Sequence, residues 1–259
     1  MQTIAIANHK GGVGKTTTAV NLAAALGKQR KKVLLVDMDP QGHATRYIGI
    51  DVADDQPIIG DVLERTVDVV DVIVDTSVVG VSIAPAHFGM AGLSVSLQSE
   101  PHRDARLMVA IMGVSHYDFC IIDCPPHQDA LVFNALLASD FLIIPTEPTE
   151  ASMDGLGHMM DLAASFQEGG HMIFGLGVLF TRVRARKAIN REIIAGLNEL
   201  IGDSGEHRPF PIPIRDSNDI ANAERAHVPI VTWRPRSIGH NDYMALAREV
   251  IVRCRKAGR

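Results

Sequence analysis

Ten residues near the N-terminus, Asn8-His9-Lys10-Gly11-Gly12-Val13-Gly14-Lys15-Thr16-Thr17, constrain the fold of this chain more than any other stretch. An apolar run, Thr3-Ile4-Ala5-Ile6-Ala7, precedes them and reads as a buried strand. A helical pattern follows, with Ala19, Leu22, Ala23 and Leu26 on one face. Strand, glycine-rich turn and helix, in that order, is the context of a phosphate-binding loop. Gly11, Gly12 and Gly14 can turn tightly and leave backbone N–H groups bare. Those groups and the helix N-terminus make a concave anion site. Lys15 supplies a cation for β- and γ-phosphates, and Thr16 a hydroxyl for Mg²⁺. A merely structural turn would account for the glycines but not for Lys15-Thr16 or the flanking elements.

The loop departs from the plain G-x-x-x-x-G-K-[ST] pattern. His9 holds the first glycine position, and Lys10 comes next. The segment Lys10–Thr16 fits K-G-G-x-G-K-[ST] without a break and so resembles the deviant Walker A motif of the ParA/MinD family of ATPases. That resemblance implies ATP and Mg²⁺ as ligands, with Lys10, Gly11, Gly12, Val13, Gly14, Lys15, Thr16 and Thr17 as nucleotide contacts. It also implies that the additional lysine, Lys10, reaches across a dimer interface to the partner's nucleotide. An ammonium offered to a triphosphate from a second subunit makes dimerisation depend on nucleotide charge.

Two further stations carry chemistry. Val33-Leu34-Leu35-Val36 is fully apolar, as parallel strands are. It ends in Asp37-Met38-Asp39-Pro40-Gln41-Gly42, and carboxylates at such a strand end sit beside the ligand crevice of an open α/β sheet. The segment resembles the family's D-x-D-P-Q-G switch. By that likeness Asp39 orients the attacking water and Asp37 lies near Mg²⁺ or its waters. Phe119-Cys120-Ile121-Ile122-Asp123-Cys124-Pro125-Pro126 again runs from apolar residues into an acid and an extended Pro-Pro exit. It resembles the family's I-I-D-x-P-P signature and puts Asp123 at the Walker B position, so the candidate metal set is Thr16, Asp37 and Asp123. The loop 125–129 would sense the γ-phosphate. His43 and His127 stand where relatives carry small polar residues, and His127 reads as a surface-loop side chain. Pro211-Ile212-Pro213-Ile214-Arg215-Asp216-Ser217 resembles the strand and loop that receive adenine, which adds Pro213, Arg215 and Asp216 as nucleotide contacts. The proline also suits an edge strand.

Composition bounds the rest. A chain of 259 residues can form one large α/β domain, and no internal repeat, linker or low-complexity tract divides it. No apolar run reaches the roughly 18 residues of a membrane span, and the immediate first strand leaves no room for a signal peptide. Cys120, Cys124 and Cys254 form no disulfide framework and suit a reducing cytoplasm. The net charge of −5 is uneven: residues 171–259 hold 15 Lys/Arg against 9 Asp/Glu, and residues 1–170 hold 10 against 21. A basic C-terminal third hints at a polyanion partner. Arg182, Arg184, Arg186, Lys187 and Arg191 crowd a strand-to-helix junction and are candidate contacts to DNA phosphates. They could equally pair with acids such as Glu192. No helix-turn-helix or zinc signature accompanies them, so binding would ignore sequence.

Between the stations, 58–63 reads as a short helix and 67–74 as helix or strand. The segment 81–85 reads as a strand, and 90–97 and 104–112 as helical. The strands at 141–145 and 173–180 flank a helix at 152–165 with an apolar stripe at Leu156, Met159, Met160 and Ala163. The last helix, about 242–255, carries Met244, Ala247, Val250, Ile251 and Cys254 as a core stripe rather than a membrane anchor. The expected fold is α/β: a single P-loop NTPase domain over 1–259, a twisted, mostly parallel sheet flanked by helices. By resemblance the function is that of a ParA/Soj-type partition ATPase, cytoplasmic and nucleoid-associated. Its ATP-bound homodimer would bind nonspecific DNA until a ParB-like partner stimulates hydrolysis. The alternatives are a MinD-like membrane-cycling ATPase and an ATP-using reductase or ligase on the same scaffold.

Overall fold

The computed structural model describes residues 1–184, 187–201 and 205–258. Its strands are β1 (Gln2–Ile6), β2 (Val33–Asp37), β3 (Val74–Asp75), β4 (Val81–Ala84), β5 (Phe119–Asp123), β6 (Phe141–Thr146) and β7 (Phe174–Phe180). They form one sheet in the order β3-β4-β2-β5-β1-β6-β7. All neighbours are parallel except the short edge strand β3, which runs antiparallel to β4. The expected mostly parallel α/β sheet is therefore the observed one.

The apolar strand runs follow from burial on both faces. Ile4, Ile6, Val33, Leu35, Ile121 and Ile143 point to one side, against Leu22 and Leu26 of helix Lys15–Lys28 and Leu246 and Val250 of helix Ile238–Lys256. Ala5, Leu34, Val36, Ile122 and Leu142 point to the other, against Leu131 and Ala135 of helix Ala130–Leu137 and Leu156 and Met159 of helix Glu150–Glu168. Burying each Leu or Ile of this kind contributes about 1.5–3 kcal/mol. In the last helix Ala247, Val250 and Cys254 are fully buried, and Met244 and Ile251 pack against the same core. That stripe belongs to the domain interior. Among the described residues no helix is long and apolar enough to cross a membrane.

Where two readings were open, tertiary context decides. The Val-rich 67–74 stretch divides into a helical turn, Val69–Val72, and edge strand β3. The 90–97 stretch breaks into a 3₁₀ turn, Phe88–Met90, and a short helix, Leu93–Ser96. The proline-rich 211–217 segment is not the expected strand. It makes one parallel bridge, Val183 with Arg215, and Ile214 N–H donates to Phe180 O at 2.8 Å. Pro211 and Pro213 lack the donors a longer ladder needs. Gly175 and Gly177 do admit close approach: a Cβ on Gly175 would stand 2.4 Å from the His207 ring, and one on Gly177 2.5 Å from the Arg253 guanidinium.

Helix Lys15–Lys28 is seated against the turn before β4 through Gly27, where a Cβ would stand 2.3 Å from the Val79 carbonyl oxygen. Backbone cannot swing aside as a side chain can. Gly27→Ala should therefore lose about 1–3 kcal/mol, although alanine is the better helix former. A fall in the urea midpoint at unchanged slope checks this; a rise would show that the helix can shift freely.

Candidate nucleotide-binding site

The loop after β1 is shaped by glycine and clamped by two neighbouring strands. Gly12 (φ 77°) and Gly14 (φ 87°) occupy the left-handed region that side chains disfavour. Gly14 is also the N-cap of helix Lys15–Lys28, whose first turn has no side-chain cap and no acid. Its N–H groups are therefore available to an anion, and the helix dipole favours one. Buried Asn8 donates Nδ2–H to Pro145 O at the end of β6 (2.7 Å), while its Oδ1 accepts from Lys10 N–H (2.8 Å). On the other side the Thr181 hydroxyl, just past β7, donates to Val13 O at 2.8 Å. Sequence reasoning passed over Asn8 and Thr181. Both are polar residues ending an apolar strand run, the same signal that marked the acids.

The acids converge because β5 lies between β1 and β2. Asp123 is level with Ile6 on one side and with Asp37 on the other. Asp37, expected near the metal, lies level with Asp123 and is engaged by neighbouring donors. Oδ2 accepts from Thr45 N–H (2.8 Å) and Thr45 Oγ1–H (2.7 Å), and Oδ1 accepts from Asp39 N–H (3.1 Å). It braces the 37–45 segment. Gly42, in the left-handed region at φ 60°, lets that segment turn where a Cβ would stand 2.6 Å from Ala86 O. Asp39 has Oδ1 held by Gln41 N–H at 2.9 Å. Asp123, as fully buried as Asp37, differs from both in that neither oxygen has a hydrogen-bond partner of acceptable geometry, although Thr16 lies near enough to favour its ionised form. Burial, then the neighbouring Asp37, holds its carboxyl well above the usual carboxylate range. Burial likewise pushes Asp37 up, against the pull of its Thr45 and Asp39 bonds. Lys15, also buried, is pushed down by desolvation, while Asp123, Cys124 and Asp39 pull it back up.

A cleft of about 480 Å³ is lined by Gly11, Gly12, Gly14, Lys15, Thr16, Thr17, Asp39, Gln41, Pro125 and Asp129. His43 and His127 lie on its wall, so His127 is exposed, as expected, yet faces the site. A second hollow of about 220 Å³ adjoins it, lined by Ile214, Arg215, Asp216, Ser217 and Tyr243. Gly14, Thr17, Arg182 and Glu224 belong to both. Arg215 and Asp216 are thus where a base would sit, and Arg215 is fixed by buried Asp242, which accepts its N–H at 3.0 Å and Nε–H at 3.1 Å. Pro213 is not there; it lines a different hollow with Phe180, Ile194 and Phe210.

Lys10 does not line the cleft of its own chain. Its ammonium donates to Ser152 Oγ at 3.2 Å, on helix Glu150–Glu168. The junction cations are also dispersed. Arg182 pairs with Glu147 (2.9 Å) beside the cleft, and Arg184 pairs with Asp216 (2.6 Å). Lys187 and Arg191 are exposed, and Arg186 lies outside the described residues.

The residues present fit a magnesium nucleotide. Among the described residues no group of three or more His, Cys, Asp or Glu could hold a metal alone. A divalent ion here takes most of its ligands from phosphates and water, as Mg²⁺ does. The orphaned Asp123 and the Thr16 hydroxyl are the protein groups placed for it. Asp123→Asn removes an uncompensated buried charge. Because the folded-state pKa is raised, the wild type gains stability as pH falls through that value and lacks it above. The variant should therefore melt roughly 2–8 °C higher at pH 8, with the gain shrinking as pH falls, while Mg²⁺-dependent nucleotide affinity drops. Scanning calorimetry across pH checks this; a lower melting temperature at pH 8 would mean the carboxylate has a stabilising partner.

Comparisons with known proteins agree with this site. A family model described as an AAA domain matches residues 1–172. The sporulation initiation inhibitor protein Soj of Bacillus subtilis is 38% identical over 251 residues, covering 95% of this chain and 97% of Soj. The chromosome partitioning protein ParA of Caulobacter vibrioides is 31% identical over 257 residues, covering 98% and 95%. Cobyrinic acid a,c-diamide synthase of Mycobacterium smegmatis, solved with an ATP analogue and magnesium, superposes with a TM-score of 0.81 at 30% identity, over 100% of this chain and 97% of that one. With its phosphate loop and level acids, the chain belongs to the ParA/Soj-like partition ATPases of the AAA-domain P-loop family, enzymes of ATP and Mg²⁺.

Proposed function

We propose that this protein, one ATPase unit over 1–259, partitions a plasmid or chromosome. Its ATP-bound sandwich homodimer holds nonspecific DNA, and a ParB-like partner triggers hydrolysis and release. It works in the cytoplasm on the nucleoid. The observation that carries the dimeric reading is the divergence of the two loop lysines. Lys15 lines its own cleft, and Lys10 turns away from it toward helix Glu150–Glu168. A loop cation that its own cleft does not use is available to a second subunit. Against the MinD-like alternative, helix Ile238–Lys256 spends its apolar stripe on the core rather than offering it to a membrane.

Hydrolysis asks the protein mainly to position water and stabilise charge. Lys15 and the loop N–H groups hold the phosphates. Asp39, on the cleft wall with one oxygen fixed by Gln41, orients the water. Thr16 and Asp123 would hold Mg²⁺, which would supply positive charge beside the transferring group. Asp37 positions Asp39 through its backbone rather than touching the metal. Arg215 and Asp216 receive the base.

Asp39→Ala should keep ATP binding and dimerisation but lose about 10²-fold or more in hydrolysis. Single-turnover phosphate release beside DNA retention measures this. Release at the wild-type rate would reject Asp39 as the water-orienting group.

DNA binding should require ATP and ignore sequence. Arg182 and Arg184 are exposed but ion-paired, and among the described junction cations Lys187 and Arg191 are exposed with no ion pair to an acid. About four phosphate contacts in the dimer would give a log–log salt slope near −3.6. Charge removal at Lys187 and Arg191 together should flatten that slope in a filter-binding titration. An unchanged slope would move the DNA surface elsewhere on the molecule.

A further inference from the structure

We propose that Glu224 is a specificity-determining residue whose carboxylate accepts from the 2′- and 3′-hydroxyls of the nucleotide's ribose, so that the site prefers ribonucleotides to their deoxy counterparts. This specificity rests on the nucleotide-binding reading above. The phosphate cleft of about 480 Å³ and the base hollow of about 220 Å³ share Gly14, Thr17, Arg182 and Glu224. A nucleotide with its phosphates in one and its base in the other has to pass its ribose through that shared stretch. Gly14 offers only backbone there. Arg182 can only donate, and Glu147 already accepts from it at 2.9 Å. Of the four, Glu224 alone brings a carboxylate. Its two oxygens accept only, which suits the two hydroxyl donors of a vicinal diol.

The local fold puts Glu224 in this place. In helix Asn218–Arg225, Ile220 and Ala221 precede Glu224 by four and three residues, and all three line the base hollow, so one face of the helix forms its wall. Asp219, in the first turn, pairs with Arg234 at 2.6 Å and sits where the helix dipole favours an acid. Glu224 sits in the last turn, where the dipole disfavours one. Helix stability therefore does not account for it. Nor does a protein partner: among the described residues its carboxylate has no hydrogen bond or ion pair. Its charge does reach the buried Tyr47 and Tyr243 hydroxyls, which burial above all, and Glu224 in lesser part, pushes up. Glu224 itself is exposed. Water can take the place of a missing hydroxyl there, so discrimination stays well short of the roughly 10⁴-fold of a buried site built around a hydroxyl.

The test is calorimetric titration of the full chain, in Mg²⁺, with ADP, 2′-deoxyADP and 2′,3′-dideoxyADP; diphosphates report binding without hydrolysis. The wild type should weaken stepwise along that series, by roughly tenfold from ADP to the dideoxy analogue. Glu224→Ala should weaken ADP to the level of the dideoxy analogue and leave the dideoxy analogue unchanged, so that the preference vanishes. Glu224→Gln, which keeps one acceptor oxygen and the shape of the side chain, should retain part of it. A structural role for Glu224 would instead shift all three nucleotides alike. Such a uniform shift, equal wild-type affinity along the series, or an undiminished preference in Glu224→Ala overturns the ribose role and leaves the nucleotide site standing. Failure of the wild type to bind any of the three overturns the nucleotide site and the inference with it.

Discussion

The register of β2, β5 and β1 sets everything else at the site. Asp37, Asp123 and Ile6 end level on adjacent strands, so the phosphate loop and two acidic strand ends open on one edge of the sheet. Both faces of these strands are covered, and Asp37 and Asp123 at their ends are fully buried. Ionised groups gathered in such a place are costly unless paired. The molecule pairs some of them. Asp37 is satisfied by Thr45 and Asp39, but Asp123 is not satisfied by any protein donor. The buried acid, eased only in part by Thr16 and Lys15, is a local destabilisation that a bound metal ion would relieve. Ligand binding and stability are coupled at this residue.

Because Asp37 is occupied, two acids that look alike in sequence divide their work. One fixes the shape of the 37–45 segment, and the other keeps both oxygens without a hydrogen bond. The same division appears among the lysines: Lys15 is buried in the cleft, while Lys10 lies against a helix. Chemical type and spacing cannot separate the members of such pairs. What separates them is which neighbours, often more than a hundred residues away, fill their hydrogen-bonding capacity. Asn8 reaches a residue 137 positions on, and Lys10 one 142 positions on.

This bears on how much could be read from the sequence. The strands were legible because a parallel strand buried on both faces has to be apolar throughout and then stop at a polar end. Their existence and the candidate loop followed from residues 3–17, 33–42 and 119–126. The place of β5 between β1 and β2 could be reached only by family resemblance, since nothing local encodes strand order. Short segments were least legible. In 67–74 both valine periodicities are satisfied, and the choice between helix and strand is made by the edge of β4. In 211–217 the prolines forbid the ladder that the apolar residues invite, which also carries Pro213 away from the base hollow that Arg215 and Asp216 do line.

The charge split shows the same limit in electrostatic form. A segment with 15 cations against 9 acids suggests a positive face, yet a field depends on where charges sit in space. Arg182, Arg184, Arg215, Arg234 and Arg253 are each within ion-pair distance of an acid. Arg253 is barely a surface charge. It donates to the carbonyls of Leu176, Arg208 and Pro209 and lies 4.1 Å over the Phe210 ring, joining the last helix to β7 and the loop beside it. Arg215 with Asp242 similarly ties the base hollow to that helix. Arg253 and Arg215 thus brace the C-terminal layer, while Arg182, Arg184 and Arg234 form exposed ion pairs that solvent screens. Any polyanion must be met by exposed cations without an acid partner, and a segment's net charge does not say which those are.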